Sequence, residues 1–209
     1  MQVRTYKTHV SAIDYDSPMG QKEALLAGAK RCLVEKGYGQ TTARDIAEAS
    51  GAHLGSIGYH YGSKDRLMNL AVLELSSDWG DTIARLVRRA NGESLLDRLA
   101  ASLSAIRDTL PNTKDLQSAS IQALAQAQFD DELRTTFANG AADARREIAA
   151  LLIGSNDDQH QPDAGEAGVG SLVYAFTIGL VAQFLIDPES LPEAEQITEA
   201  LRLLAGDSD

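Results

Sequence analysis

The stretch from residue 41 to residue 63 constrains the fold of this chain more than any other segment. Thr42 and Asp45 have the spacing of a capping box, so a short helix is predicted to begin there. Gly51 supplies the positive φ that a sharp turn between two helices needs, and Ser63 is well placed to cap a further helix. The segment therefore predicts two short helices joined by a glycine turn and followed directly by a long helix.

Apolar residues recur at helical spacing along the rest of the chain, and no segment shows the alternation of a strand bounded by hairpin turns. In the first helix Leu25, Ala29 and Cys32 follow this spacing, and Gly37 provides a stop signal. The sequence therefore predicts an all-α fold. The predicted helices lie at about 19–36, 43–49, 53–60, 64–90, 94–110, 114–128, 132–153, 165–186 and 193–204.

Charge is distributed unevenly along the 209 residues, which carry a formal net charge of −11. Residues 1–67 contain 9 basic and 7 acidic side chains, so their net charge is +2. The other 10 basic and 23 acidic side chains give residues 68–209 a net charge of −13. An acidic average argues against a nucleic-acid partner, but the near-neutral first third can meet a phosphate backbone if its cations share one face.

Two short helices with a polar outward face on the second are typical of a helix-turn-helix unit. In the second of these helices Ile57 and Tyr61 lie one turn apart, so they are predicted to face inward. A major groove about 12 Å wide admits one α-helix. Short residues such as Gly55 and Ser56 would let the first turn of that helix approach base edges closely.

Several runs of residues surround this unit at fixed spacing. They are Gly37-Tyr38, Thr41-Thr42-Ala43-Arg44-Asp45-Ile46-Ala47, Gly51-Ala52, Gly55-Ser56-Ile57-Gly58-Tyr59-His60-Tyr61 and Ser63-Lys64-Asp65-Arg66-Leu67. Together they resemble the TetR family of transcriptional repressors over about residues 20–67, while the C-terminal two thirds match in helical layout and length alone. The resemblance implies a cytoplasmic homodimer that binds a palindromic operator and releases it when a small molecule enters the C-terminal domain.

The resemblance also places DNA contacts residue by residue on the two short helices and the start of the long one. Side-chain chemistry agrees, because an arginine can fork onto guanine or phosphate and a leucine can contact a thymine methyl group. Tyrosine, histidine and lysine suit phosphate oxygens, although the tyrosine and histidine could instead pack against the fourth helix. The predicted contacts are Thr42, Arg44, Leu54, Gly55, Ser56, Tyr59, His60 and Lys64.

Two positions depart from the family pattern. Gly58 stands where an aromatic residue is common, which removes a side chain and weakens the helix by about 1 kcal/mol relative to alanine. His53 stands where serine, a better N-cap, is frequent. The resemblance therefore does not transfer an operator sequence to this chain.

The predicted organisation has three parts: a flexible arm over 1–19, a helix-turn-helix DNA-binding domain over 20–67, and a helical bundle for ligand binding and dimerisation over 68–209. The charge-free run 169–186 is long enough to suggest a membrane span. Its polar residues and acidic flanks instead predict a helix that protein buries on most sides, and no membrane partner.

We expect this apolar helix and the last helix to form a four-helix interface between two copies of the chain. The alternative is that they close the core of each monomer. Small residues would permit close approach at the interface, and they are Gly168, Gly170, Ala175 and Gly179.

An effector pocket is predicted between the long fourth helix and the helices near 95–128 and 165–186, because ligand sites in bundles lie between facing helices. Aromatic residues make up 5% of the chain and these helices hold few cations. We therefore expect a mainly aliphatic pocket for a modest, largely uncharged ligand. The candidate lining residues are Trp79, Ile83, Leu103, Ile106, Gln117, Ile121, Tyr174 and Ile178.

Other functions have less support. A helical enzyme is the least favoured, because the chain has no nucleophile elbow, phosphate loop or zinc-protease pair. No metal or other cofactor is predicted: His53 and His60 are about 10.5 Å apart in helix rise, and Asp157-Asp158-Gln159-His160 is interpreted as a hydrated loop. The lone Cys32 and the lack of a signal peptide fit the cytoplasm. A DNA-binding regulator without an effector, or an activator, is the main alternative.

Overall fold

A computed structural model describes residues 20–155 and 162–206, and within these ranges every regular element is a helix. This confirms the predicted all-α fold. The predicted arm over 1–19 and the loop 157–160 lie outside the described residues. The elements are α1 (Gln21–Lys36), α2 (Ala43–Ser50), α3 (Gly55–Tyr61), α4 (Lys64–Ala90), α5 (Leu95–Thr109), a 3₁₀ turn (Leu110–Thr113), α6 (Lys114–Gln126), α7 (Asp131–Ile153), α8 (Ala164–Ile186), a second 3₁₀ turn (Pro188–Ser190) and α9 (Ala194–Ala205).

The capping signals read from the sequence are present at the short helices. The Thr42 hydroxyl accepts a hydrogen bond from the Asp45 backbone N–H at 3.2 Å, and the Asp45 carboxylate accepts one from the Thr42 N–H at 2.8 Å. Gly51 ends α2 in the left-handed region, with φ 69° and ψ 12°. The start of α3 lies two residues later than predicted, because the Ser56 N–H bonds the His53 carbonyl in a tighter turn ahead of the helix.

We call residues 20–67 the head and the rest of the described chain the trunk. The apolar core of the head continues along α4 and into α6, so the two parts share one buried cluster. From α6 the cluster includes Leu116, Ala119 and Ala123, and both alanines are fully buried. The head is therefore packed against a trunk helix through short side chains. A second cluster joins α4, α5 and α9 inside the trunk.

Helix α8 packs on α7 at a close crossing. A Cβ atom on Gly170 would collide with the backbone carbonyl of Arg145 in α7, whereas Cβ atoms on Gly168 and Gly179 would meet nothing within 4 Å. The placement of Gly170 in an interface between two copies is therefore wrong. It lies on the side of α8 that packs within its own chain.

Helix α8 is also less covered than the sequence predicted. Among the described residues it is the one helix long and apolar enough to cross a membrane, and 22% of its most apolar window is buried. The expectation of a helix buried on most sides is wrong for a single chain. The reason is that α8 packs its buried side mainly on α7, while Leu172 and Phe176 are 61% and 45% exposed.

Candidate nucleic-acid interface

Helix α3 buries one side and leaves the other open. Ile57 and Tyr61 are buried as predicted, and the Tyr61 hydroxyl donates a hydrogen bond to the Lys22 carbonyl of α1 at 2.6 Å. On the outer side Tyr59 is 86% exposed, and Leu54 just before the helix is also exposed. A Cβ atom on Gly55 would meet nothing within 4 Å. The first turn of α3 therefore has a low, open outer surface.

The start of α2 is held rigidly against the end of α1. The Asp45 carboxylate accepts hydrogen bonds from Lys36 Nζ at 2.7 Å and from the Thr42 hydroxyl at 2.7 Å. The hydrogen bonds from Lys36 and Thr42 hold the pKa of Asp45 well below its usual range. Arg44, one residue earlier, is exposed and forms neither a hydrogen bond nor an ion pair with the described residues. Its guanidinium is thus available to a partner, while its backbone is fixed at the start of α2.

Lys64 is partly engaged within the chain. Its ammonium group donates to the Thr41 carbonyl at 3.3 Å, pairs with Asp65 at 3.1 Å and lies 5.7 Å from the centre of the Tyr38 ring. An ammonium group has three N–H donors, so one remains for an external oxygen. The side chain is 29% exposed. Lys64 can therefore reach an anion while its position is set by its neighbours.

His60 and Tyr59 end the series of candidate residues on α3. Nε2 of His60 lies 3.3 Å from Oε1 of Gln21 in α1, and its ring meets the Tyr59 ring edge-on with centroids 4.9 Å apart. Tyr59 does not pack against α4, because its side chain stays exposed. The structure thus gathers all eight predicted contact residues on α2, α3, the segments before them and the first residue of α4.

The head also touches the trunk through polar contacts that the sequence did not predict. Arg66 at the start of α4 forms an ion pair with Glu132 of α7. The Tyr38 hydroxyl, between α1 and α2, lies 3.3 Å from Oε1 of Gln126 at the end of α6. No local pattern signals these contacts, because the partners lie 66 and 88 positions apart in the chain.

The eight residues predicted to line an effector pocket lie in several parts of the trunk. Ile83, Leu103 and Ile106 are buried in the cluster between α4, α5 and α9. Gln117 is buried and donates to the Thr113 hydroxyl at 3.2 Å.

Three other predicted lining residues lie outside that cluster, and Trp79 packs against it. Ile121 and Ile178 are partly exposed, and Tyr174 lies 5.8 Å from the guanidinium carbon of Arg145. Trp79 also lines an open groove, and it is the one residue of the predicted eight that borders this groove.

This groove has a volume of about 420 Å³ and lies between α4, the 3₁₀ turn over Leu110–Thr113 and the start of α6. The Trp79 indole N–H donates to the Thr109 hydroxyl at 2.9 Å, which fixes the ring at one wall. Hydroxyl and apolar groups form much of the surface. The lining residues are Val34, Leu75, Asp78, Trp79, Thr82, Thr109, Pro111, Asn112, Thr113, Lys114, Asp115 and Leu116.

Comparisons with known proteins find relatives that are transcriptional repressors. The repressor AcnR of Corynebacterium efficiens is 33% identical over 69 residues, which is 33% of this chain and 37% of that protein. The chain thus spans little more than a third of the length of this relative. The repressor Rv1474c of Mycobacterium tuberculosis is 25% identical over 194 residues, which cover 90% of this chain and 95% of that protein.

A solved structure shares the fold over nearly the whole chain. The multidrug binding protein EbrR, in complex with proflavin, superposes with a TM-score of 0.62 at 19% identity and covers 88% of this chain and 99% of its own. At that identity the similarity concerns the fold alone.

Two family descriptions match successive parts of the sequence. Residues 25–71 match the family described as bacterial regulatory proteins of the tetR family, and residues 74–206 match the C-terminal domain of BetI-type transcriptional repressors. The first description names regulatory proteins and the second names transcriptional repressors, and neither names an enzyme, as the sequence predicted. This chain belongs to the TetR family of transcriptional regulators.

Proposed function

We propose that this regulator represses transcription as a homodimer bound to a palindromic operator, and that a small molecule releases it. In this proposal residues 20–67 bind DNA and residues 68–209 bind the effector and the second copy. The observation that carries the DNA part is the open first turn of α3, with Gly55 and Ser56 at its start, together with the exposed Arg44 on α2, whose side chain has no partner among the described residues. Such a surface allows close approach to base edges.

The roles of the contact residues follow from their surroundings. Arg44 would fork onto a guanine edge or a phosphate, and Leu54 would contact a thymine methyl group. Thr42 fixes the start of α2 beside the phosphate backbone, because its hydroxyl is bonded to Asp45. The remaining residues would bind phosphate oxygens or allow close approach, and they are Gly55, Ser56, Tyr59, His60 and Lys64.

The homodimer would form through α8 and α9. Leu172 and Phe176 of α8 and Leu203 and Leu204 of α9 are exposed, and Leu204 is 80% exposed. Exposed apolar surface of this kind marks an interaction site, and a second copy related by two-fold symmetry would cover it on both helices. If the dimer covers the apolar side of α8, this helix has no need of a membrane, which favours a soluble, cytoplasmic protein.

The groove beside Trp79 is the proposed entry for the effector. Its charged rim is largely neutralised, because Asp78 pairs with Lys30 at 2.8 Å and Lys114 and Asp115 are of opposite sign. Each threonine hydroxyl of the groove donates to a backbone carbonyl and accepts from another side chain. Apolar side chains and the remaining hydroxyl lone pairs are left to meet a ligand, which favours a modest, largely uncharged molecule. The EbrR complex supports the general idea, since that protein has this fold and holds a small molecule.

Selection of bound sites from random DNA duplexes tests the proposal. The expected result is a palindromic consensus with half-site centres about 34–36 Å apart along the duplex, as two symmetric heads require. Enrichment of single half-sites would contradict the dimer, and no enrichment at low salt would contradict sequence-specific binding altogether.

The effector site has its own reporter, because Trp79 is the one tryptophan of the chain. Compounds found by their stabilisation of the protein against heat should quench or shift Trp79 fluorescence and weaken operator binding. A compound that releases the operator without changing Trp79 emission would place the effector elsewhere.

A further inference from the structure

Tyr38 joins three parts of the molecule at one buried hydroxyl group. It lies between α1 and α2 and is 7% exposed. Its hydroxyl is 2.9 Å from Oδ1 of Asn69 in α4 and 3.3 Å from Oε1 of Gln126, the last residue of α6. A phenol has one proton, so it donates to one amide and accepts from the NH₂ group of the other once that amide is turned.

The ring of the same tyrosine lies against a proposed DNA contact. Lys64 Nζ is 5.7 Å from the ring centroid and donates to the carbonyl of Thr41. The Thr41 hydroxyl in turn donates to the Gly37 carbonyl at 2.7 Å, which braces the loop that carries Tyr38. The Lys64 ammonium group has three neighbours among the described residues, and movement of Tyr38 shifts two of them, the Tyr38 ring and the Thr41 carbonyl, while the third, Asp65, lies next to Lys64 on α4.

Helix α6 is the trunk element that holds the hydroxyl side of Tyr38. Its buried Leu116, Ala119 and Ala123 pack into the core of the head, and Gln126 lies one turn beyond Ala123. Burial raises the pKa of Tyr38 to about 12, with a further contribution from Asp65. The hydroxyl is therefore protonated at neutral pH and remains a hydrogen-bond donor to α6 or α4.

We propose that Tyr38 is a positioning residue for operator binding, which sets Lys64 against a phosphate and ties that placement to the end of α6 through Gln126. The inference rests on the proposed function and specifies how the trunk acts on the head. An arrangement of the trunk that withdraws Gln126 releases the Tyr38 hydroxyl and lets the Lys64 ammonium group leave its operator position. A ligand that favours this arrangement lowers operator affinity by its differential affinity for the two states.

The central experiment replaces Gln126, which is far from any proposed DNA contact in sequence, and measures the salt dependence of operator binding. We expect Gln126→Leu to weaken binding about 2- to 10-fold, the range for one net hydrogen bond. It should also lower the slope of log affinity against log salt by up to about one, although no charge is removed, because Lys64 no longer meets its phosphate. Gln122→Leu, the same change at an exposed position one turn earlier, is the matched control and should match wild type.

Double variants distinguish this route from a general loss of structure. Gln126→Leu should have little further effect in a Lys64→Gln background or in a Tyr38→Phe background, which keeps the ring and removes the hydroxyl. Full additivity in both backgrounds would overturn the proposal, as would a wild-type salt slope for Gln126→Leu. Thermal unfolding of each variant identifies any that fail to fold.

Hydrogen exchange of the free protein provides a test without DNA. We expect faster exchange of the backbone amides of residues 37–42 in Gln126→Leu than in Gln122→Leu, since the brace on Tyr38 is lost. Equal exchange in the two variants would overturn the inference even if wild type binds its operator. Faster exchange together with no DNA binding by wild type would instead contradict the proposed function.

Discussion

The outer surface of α3 and the outer surface of α8 and α9 are both open in the single chain, but they differ in chemistry. The α3 surface offers small and polar groups, with Gly55, Ser56 and the exposed Tyr59. The other surface offers large apolar side chains such as Leu172 and Leu204. A polar surface stays hydrated until charged or polar groups replace the water, whereas an apolar surface gains by leaving water. The two surfaces therefore suit DNA and a second protein chain, respectively.

Net charge strengthens this contrast. Residues 1–67 have a net charge of +2 and residues 68–209 a net charge of −13, so the acidic trunk is repelled by DNA and leaves the head as the approaching part. The contrast yields predictions in which one surface is altered and the other is unaffected.

Salt should produce the largest difference between the two surfaces, because it should weaken operator binding and leave the dimer intact. If the dimer contacts roughly six to ten phosphates, raising the salt from about 50 to about 200 mM should weaken operator binding by about 10³- to 10⁵-fold. The apolar dimer should persist, because burial of apolar surface does not depend on ion release. Fluorescence anisotropy of labelled operator and sedimentation of the protein, measured in the same buffers, test both statements. Dissociation of the dimer along with the DNA would mean that its interface is mainly ionic.

A charge placed on the α8 surface should separate the copies. Phe176→Glu would bury an unpaired carboxylate in the proposed interface, at a cost of about 3 to 5 kcal/mol, which corresponds to at least a hundredfold loss of dimer affinity. Sedimentation should show a monomer with the helical content of wild type, and operator binding should fall with it. Leu124→Glu on α6 is the matched control, because the two side chains are 45% and 46% exposed. A monomer in the control, or a dimer in Phe176→Glu, would remove α8 from the interface.

The contrast also explains what could be predicted from the sequence. Thr42, Asp45, Gly51 and Ser63 act on backbone groups within a few residues, so their roles were predicted from spacing and the structure contains them. Coverage of α8 was not predictable, because it depends on how α7 crosses it. Gly170 is the example, because the sequence placed it in an interface between two copies. In the structure it has to be glycine because the backbone carbonyl of Arg145 on α7 leaves no space for a Cβ atom.

The effector residues illustrate the same limit inside the trunk. Hydrophobic spacing identifies which side of a helix points inward, and Ile83 and Leu103 are buried as that spacing predicts. Spacing does not say whether inward side chains fill the space or leave a cavity, because that depends on several helices at once. That the eight predicted residues line one pocket therefore remains a prediction. Of the residues that line the groove beside Trp79, the sequence indicated Trp79 alone.

Removal of a single cation should affect the head and spare the trunk. Arg44→Ala is expected to cost about 1 to 3 kcal/mol of operator binding if the guanidinium is bidentate to a base. Stability should be unchanged, because Arg44 has no partner among the described residues. The control is Arg134→Ala on α7, which removes an equally positive and exposed side chain that pairs with Asp131 in the trunk. Operator titrations that cannot tell Arg44→Ala from wild type would remove this contact.

The smallest predicted effect concerns the stability of the recognition helix itself. Gly58 lies inside α3, where a Cβ atom would meet nothing within 4 Å, so Gly58→Ala should stabilise the free protein by about 0.5 to 1 kcal/mol through helix propensity alone. Gly28→Ala is the opposite case, because its Cβ would lie 3.0 Å from Cβ of Ser50 and 3.1 Å from the Ile46 carbonyl oxygen where α1 crosses α2. That variant should lose stability, since a tightly packed contact must open. Urea unfolding of both variants would show opposite shifts of the midpoint. Shifts of the same sign would mean that local propensity and packing do not act separately in the head, and that the buried Ile57 and Tyr61 hold α3 against its neighbours whatever its outer residues are.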